Sequence, residues 1–249
     1  MEYNSLKEEI ITKYNLHLNY IKDPDNFIFM NYGYADLDSD NYPIQLRNLS
    51  YPYDKWYYQS NLYIKTIEEG RVTNGSLLDV SSGRGGGASL CKTLFNFDKV
   101  YGLDINPTNI EFSKNKFKGV DYTVGEASNI PFSDNYFNVI TCIEASSYFP
   151  QIEPFLQEAY RVLKPEGVLS IVQYSPNDIA STYLNENVWK YKFNIEKEID
   201  ITLNSKVASS VDKHRFSYID TELFEVFSNA ENTMLTNVYK IFILKKNGI

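Results

Sequence analysis

Three sets of residues stand where they could do chemistry. The run SSGRGGGAS (81–89) follows an apolar stretch that ends in Asp79 and Val80. Its glycines, Gly83, Gly85, Gly86 and Gly87, leave out the side chains that would keep a ligand from the backbone. If a helix follows, its free N–H groups point at that ligand. Two further acids close apolar runs: Asp104 ends KVYGLD, and Glu144 follows YFNVITCI. The third set is two histidines, His17 and His214, the side chains that change charge nearest neutral pH. Cys91 and Cys142 lie far apart in apolar runs and read as buried thiols. Two cysteines cannot complete a zinc site, so no metal is expected.

The glycine run by itself admits two ligands. Gly83-x-Gly85-x-x-Ala88, with Asp104 placed 104 − 83 = 21 residues after the first glycine, fits a dinucleotide-binding pattern and hence an NAD-dependent oxidoreductase. Asp79 argues against that ligand, because an acid just before the loop repels a pyrophosphate seated there. S-adenosyl-L-methionine reverses the preference. It has no phosphate and carries an ammonium and a sulfonium, which a carboxylate attracts.

These residues need a frame that brings the ends of several apolar runs together. From residue 75 onward, short apolar runs alternate with amphipathic ones. Strands are expected at 76–81, 99–105, 120–125, 136–143 and 167–174, with helices at 86–96, 107–117 and 152–163. This alternation predicts a parallel sheet with helices on both faces, and in such sheets ligands bind beyond the carboxyl ends of the strands. After Pro176 the expected elements are a helix at 177–191, a strand at 193–199, helices at 205–211 and 219–229, and a strand at 237–245. Before residue 70 the pattern predicts helices at 5–21 and 54–69, the second with Asp54 as N-cap and Gly70 past its end. A loop rich in Asp, Asn, Pro and Gly separates them.

The stretch 77–173 resembles the class I S-adenosyl-L-methionine-dependent methyltransferases. LLDVSSGRGGGAS resembles their first motif, with Ser81 where the first glycine commonly stands. VYGLDINP resembles the second-strand motif, VGEASNIPFSDNYFNVI the adenine loop and fourth strand, and EAYRVLKPEGVLSIV the segment entering the fifth strand. The resemblance implies an α/β, Rossmann-like, mostly parallel sheet of seven strands in the order 3-2-1-4-5-7-6, strand 7 antiparallel, with helices on both faces. It also implies an N-terminal helical lid over 1–70 and a methyltransferase domain over 71–249, in which 176–236 include elements that cover the acceptor.

The same resemblance assigns cofactor binding to Asp79, Ser81, Gly83, Gly85, Asp104, Ile105, Glu126, Ala127, Ile143 and Tyr32. Asp104 is expected on the ribose hydroxyls and Glu126 and Ala127 at the adenine. Tyr32 or Tyr20, near Asn31, is expected to close on the methionine end. S-adenosyl-L-homocysteine would be the product. FMNYGYAD, SSGRGGGAS and IEASSYFP narrow the likeness to bacterial small-molecule methyltransferases, among them O-methyltransferases of polyketide, ansamycin and phthiotriolone-type lipid biosynthesis. Those enzymes often carry a histidine in the last motif, where this chain has Ser147.

Methyl transfer is an in-line displacement with a neutral leaving group. Alignment and exclusion of water therefore dominate, and orientation alone supplies on the order of 7–11 kcal/mol. A base is needed only for a nucleophile that starts protonated, such as an alcohol or phenol. Glu144, at the end of the fourth strand, and His214, after the sixth, are the candidate catalytic residues. Ser146, Ser147 and Tyr148 would line the floor, and His17 reads as a surface residue. The expected activity is methyl transfer to a small apolar or aromatic acceptor, a hydroxyl of a secondary metabolite first among them. A methyltransferase-like protein that binds without catalysis stands beside the oxidoreductase as an alternative.

Composition narrows the partners. Acids number 32 and bases 24, a net charge of −8 that repels phosphate backbones and anionic headgroups, so neither nucleic acid nor membrane is expected. After strand four the chain reads IEASSYFP, without the Asn/Asp-Pro-Pro-aromatic tetrapeptide of amino-directed nucleic-acid methyltransferases. No window approaches the ~18 apolar residues of a spanning helix. MEYNSLKEEI lacks a basic region followed by an apolar stretch, so a cytoplasmic protein is expected. A homodimer is compatible with the sequence. Of 21 tyrosines, eleven fall within residues 1–63. That excess predicts an aromatic lid over an apolar or ring-containing acceptor.

Overall fold

The computed structural model describes residues 2–19, 21–176, 184, 186, 188–212 and 237–248. Its centre is one sheet of seven strands. These are β1 (Asn74–Val80), β2 (Asn96–Asp104), β3 (Asp121–Val124), β4 (Phe137–Ile143), β5 (Leu163–Pro176), β6 (Phe193–Asp200) and β7 (Asn237–Lys246). They lie in the order β3-β2-β1-β4-β5-β7-β6. Strands β1 to β5 pair in parallel, and β7 runs antiparallel to both β5 and β6. A separate ribbon joins Asp36–Leu37 to Pro43–Ile44.

Successive strand residues face opposite sides of the sheet. Leu77, Val139, Val168 and Ile241 therefore join one apolar cluster, while Leu78, Ile140, Leu169 and Phe242 join the other. Three helices cover the first face, following α1 (Glu2–Leu18) in the chain: α2 (Tyr57–Gly70), α3 (Gly86–Leu94) and α4 (Pro107–Lys116), through Ile64, Ile67, Leu90 and Ile110. The second face is covered by α5 (Glu153–Val162) through Phe155, Leu156 and Ala159. Among the described residues the helix that precedes β7 is α6 (Thr202–Val211). Cover on both faces is why these strands read as near-continuous apolar runs.

Element boundaries differ from expectation where packing overrides local signals. Helix α2 begins at Tyr57, and its N-cap is Trp56, which makes no side-chain cap; Asp54 belongs to the preceding turn. Trp56 is almost wholly buried against the rings of Phe27 and Phe29. Gly70 stays inside α2, where a side chain would press on Ser170 of β5, and Arg71 takes the left-handed cap at φ 56°. Helix α5 ends at Val162 because β5 starts at Leu163, where Phe137 of β4 already pairs with it. The helix expected at 219–229 and most of the one at 177–191 lie outside the described residues, as do Tyr20 and His214. Among the described residues, no helix is long and apolar enough to cross a membrane.

The chain leaves β1 toward β2 on one side, and β4 pairs on its other side. Connections diverge at that point, so a crevice opens between the loops that follow β1 and β4.

Candidate active site

The loop after β1 is held by its neighbours. Ser81 takes a left-handed backbone, φ 57°, which costs a residue with a side chain roughly 1–2 kcal/mol. Ser82 N–H donates to Leu103 O at 2.9 Å, and Gly83 N–H donates to Asp104 Oδ2 at 2.8 Å. One turn thus ties the ends of β1 and β2 together and opens α3. Three of its glycines have a reason other than ligand approach. A Cβ on Gly85 would stand 2.6 Å from Ser113 Oγ, on Gly86 2.5 Å from Ile28 O, and on Gly87 1.9 Å from Tyr63 Cζ. Those positions are closed by the protein itself. At Gly83 the nearest group is Met30 Sδ, 3.1 Å from such a Cβ and at the end of a flexible side chain.

Two acids end the adjacent strands, and burial raises the pKa of both. Asp104 accepts from Gly83 N–H, from Asn106 N–H at 2.9 Å and from Asn109 Nδ2 at 3.3 Å. Asp79 is enclosed completely, with 0% exposure. Its Oδ1 accepts from Thr141 Oγ1, its register partner on β4, at 2.7 Å, and its Oδ2 accepts from Tyr63 Oη at 3.1 Å. Burial pushes its carboxyl up to about 7 despite those two bonds, and the charge of Asp104 adds to the rise. Asp79 therefore lies beneath the loop and not on its surface. It ties α2 and β4 to β1, and its charge reaches a ligand only through the loop.

Beyond Asp104 a cavity of about 280 Å³ opens at the carboxyl ends of β2 and β3. Ile105, Val124, Gly125, Glu126, Asn129 and Pro131 line it, and Lys7 of α1 reaches in to pair with Glu126. Asn106 Nδ2 donates to Asn15 Oδ1 at 2.8 Å, a second tie between α1 and this rim. Ala127 is half-buried against the apolar cluster on the α5 face. Arg161 of α5 anchors the loop that carries Asn129 and Pro131, donating to Ile130 O, Phe132 O and Asp134 Oδ1, each at 2.8 Å. Its partner Glu158 accepts from Ile130 N–H, also at 2.8 Å. A larger cavity of about 370 Å³, between Gly75 and Lys164, lies at the amino ends of the strands and contains none of Asp79, Asp104 or Glu144.

At the end of β4, Ile143 is buried and Glu144 takes a left-handed backbone, φ 60°. Both carboxylate oxygens of Glu144 accept from Tyr32 N–H, at 3.0 and 3.2 Å. The Tyr32 ring packs edge-on against Tyr174 and Tyr239, which stack on each other with centroids 5.2 Å apart. Tyr148 and Tyr174 join hydroxyls, and Ser147 Oγ donates to Tyr174 O at 3.0 Å. His214 and the side chain of His17 fall outside the described residues.

Sequence reasoning missed the parts that act at long range. Tyr63, Arg161 and Lys7 carry no spacing signal. Arg84 did carry one, a charge inside a glycine run. It is 4% exposed, donates to Phe27 O at 2.6 Å and to Pro24 O, and lies 3.5 Å over the Phe112 ring. Of the N-terminal tyrosines expected in a lid, several lie elsewhere. Tyr34, Tyr53, Tyr57 and Tyr63 are buried in the core, while Tyr42 and Tyr51 are exposed.

The donor set suits a cationic ligand without phosphate. Asp104 ends β2, Glu144 follows β4, Glu126 lines the cavity, and Lys7, the cation at that cavity, is paired with Glu126. Asn31 Oδ1, Ser82 Oγ and Ser146 Oγ are buried along it without a hydrogen-bond partner among the described residues. Such atoms suit a polar ligand. A doubly wound sheet with an acid-lined crevice at its switch point defines a Rossmann-like ligand-binding protein.

Comparison with known proteins makes the class specific. Residues 78–171 match the family described as Methyltransferase domain. The chain is 30% identical over 201 residues to the phthiotriol/phenolphthiotriol dimycocerosates methyltransferase of Mycobacterium tuberculosis, covering 76% of this chain and 72% of that one. Its fold is similar to that of the cyclase SpnF, with a TM-score of 0.75 at 15% identity over 98% and 97% of the two chains. It is also similar to geranyl diphosphate C-methyltransferase from Streptomyces coelicolor A3(2), solved with S-adenosyl-L-homocysteine, with a TM-score of 0.69 at 13% identity over 96% and 97%. The chain belongs to the class I S-adenosyl-L-methionine-dependent methyltransferases, and S-adenosyl-L-methionine is its cofactor.

Proposed function

We propose that this methyltransferase carries the methyl group to a hydroxyl of a small apolar or aromatic acceptor. The observation that carries the reading is the end of β4, where a buried carboxylate, Glu144, holds the backbone N–H of Tyr32, whose ring packs edge-on against Tyr174 and Tyr239. Rigid rings with polar tips suit a water-poor chamber for an apolar molecule. The acceptors named for the M. tuberculosis relative, phthiotriol and phenolphthiotriol dimycocerosates, support an apolar acceptor.

When bound, the cofactor supplies an electrophilic methyl group on a sulfonium. In this proposal Asp104 holds the ribose hydroxyls, while Ile105, Glu126 and Ala127 frame the adenine. Ser81, Gly83 and Gly85 shape the loop at the methionine end, above Asp79 and beside Ile143. Residues 1–70, with Tyr32, form the cover, 71–249 form the catalytic domain, and 176–236 include elements that cover the acceptor. A hydroxyl nucleophile needs a proton acceptor within reach, and His214 and Glu144 are the candidates. A cytoplasmic location belongs to the same proposal, in keeping with two buried free thiols, Cys91 and Cys142.

The test is tritiated methyl transfer from S-adenosyl-L-methionine to a panel of phenols, hydroxylated polyketides and amines. Label in the hydroxyl compounds is the expected result, and label in amines alone would overturn it. The likeness in fold to a cyclase gives the second reading its one support. Cofactor binding with no transfer to any member of the panel would favour binding without methyl transfer.

A further inference from the structure

Residues 24–32 form a strap that crosses the crevice from the glycine loop to the end of β4. Its first part is fastened firmly. Arg84 donates to Phe27 O and Pro24 O, Gly86 N–H donates to Ile28 O at 3.2 Å, and Trp56 Nε1 donates to Asn26 O at 3.1 Å. After the strap the chain is fastened again. Tyr34 N–H donates to Tyr58 O at 2.9 Å, and Gly33 O accepts from Ser205 Oγ at 2.9 Å. Between these anchors Phe29 packs on Trp56 and Tyr63, and Met30, Asn31 and Tyr32 follow it. Met30 reaches the loop at Gly83, and Tyr32 N–H is held by both oxygens of Glu144. The two ends of the crevice, Gly83 and Glu144, are thus bridged by three consecutive residues.

Glu144 pays for this position. A side-chain-bearing residue at φ 60° is disfavoured, and such outliers persist where surrounding structure over-determines them. Its own N–H is fixed to Val172 O at 2.8 Å, so the left-handed turn redirects the chain just past the strand. The carboxylate so aimed is a charged acceptor for a neutral backbone amide, the stronger kind of hydrogen bond.

We propose that Glu144 is a positioning residue that latches the strap over the crevice and sets how long the cofactor stays bound. This rests on the cofactor reading above and, of the two candidate proton acceptors named there, leaves proton removal to His214. It acts through Tyr32 N–H, not on the reacting atoms.

The experiment compares wild type with Glu144→Gln, which keeps an acceptor oxygen, and Glu144→Ala, which keeps none. Stopped-flow dissociation of S-adenosyl-L-homocysteine is the first readout. Exchange of the Tyr32 backbone amide in the ligand-free protein, by NMR, is the second. In Glu144→Ala, dissociation should quicken about 10-fold or more and the Tyr32 amide should lose its protection, as expected for loss of a bond to a charged acceptor. Glu144→Gln should restore most of both. Unchanged dissociation in Glu144→Ala, or equal acceleration in the two variants, would overturn the latch. Failure of wild type to bind S-adenosyl-L-homocysteine would sink the cofactor reading instead. The latch would still stand or fall on the amide: protection lost in Glu144→Ala supports it, and protection retained refutes it.

Discussion

Tyr63 gives its hydroxyl hydrogen to Asp79 at 3.1 Å while its ring occupies the space that a side chain at Gly87 would need. One residue of α2 thus sets both the acid beneath the loop and the closeness of α3 to α2. Gly87→Ala would place a Cβ 1.9 Å from Tyr63 Cζ, and both are held in packed helices. The expected loss is about 1–3 kcal/mol of stability, a fall of roughly 2–12 °C in melting temperature for a chain of this size. Combining it with Tyr63→Leu should cost less than the sum of the two single changes, because they share one contact. Thermal denaturation of the four proteins measures this.

Asp79 makes stability depend on pH in a defined direction. Its folded pKa, about 7, lies above its ordinary value of 3.8. The folded state therefore keeps a proton that the unfolded state has released. This group's contribution is full below about pH 4 and is lost progressively as pH rises to about 7. Asp79→Asn should flatten melting temperature over that window. Wild type and variant falling in parallel between pH 4 and 7 would count against the assignment.

Arg161 should matter to the cofactor without touching it. It fixes the loop bearing Asn129 and Pro131 through two backbone carbonyls, a geometry that a lysine cannot reproduce. Its ion pair with Asp134 is exposed and contributes little. Arg161→Lys is expected to weaken S-adenosyl-L-homocysteine binding about 10-fold, roughly 1.4 kcal/mol, by titration calorimetry. Asp134→Ala should change it far less.

Asp104 joins two elements and immediately precedes Ile105, which lines the cavity. Asp104→Ala removes the acceptor for Gly83 N–H, Asn106 N–H and Asn109 Nδ2 together. Each bond to a charged group contributes about 1.5–3 kcal/mol. Binding of S-adenosyl-L-homocysteine should fall by about 100-fold or more, and hydrogen exchange at the Gly83 amide should quicken. Retained affinity would remove Asp104 from the proposed ribose contacts.

The strands, helices α3 to α5 and the positions of Asp79, Asp104 and Glu144 at strand ends were legible because they rest on local periodicity and short connections. A run buried on both faces announces itself, and so does the acid that ends it. Asp54 looks like a cap and predicts a helix from residue 54, whereas the burial of Trp56 decides that the helix begins at Tyr57. The glycine run was legible as a site but not for its reasons. Gly85, Gly86 and Gly87 answer to Ser113, Ile28 and Tyr63, and Ser113 alone of these lies downstream of them in the chain.

By itself the sequence determined the class of fold, the family and the excess of acids that suits a cationic cofactor. Those follow from patterns within about 100 residues, where spacing limits what the chain can do. Only the tertiary structure decided that Asp79 is sealed beneath the loop, that Arg161 props the loop bearing Asn129 and Pro131 and that Glu144 holds the amide of Tyr32, 112 residues earlier in the chain. Contacts of that reach depend on how whole elements pack, and no periodicity along the chain encodes which side chain meets which backbone amide.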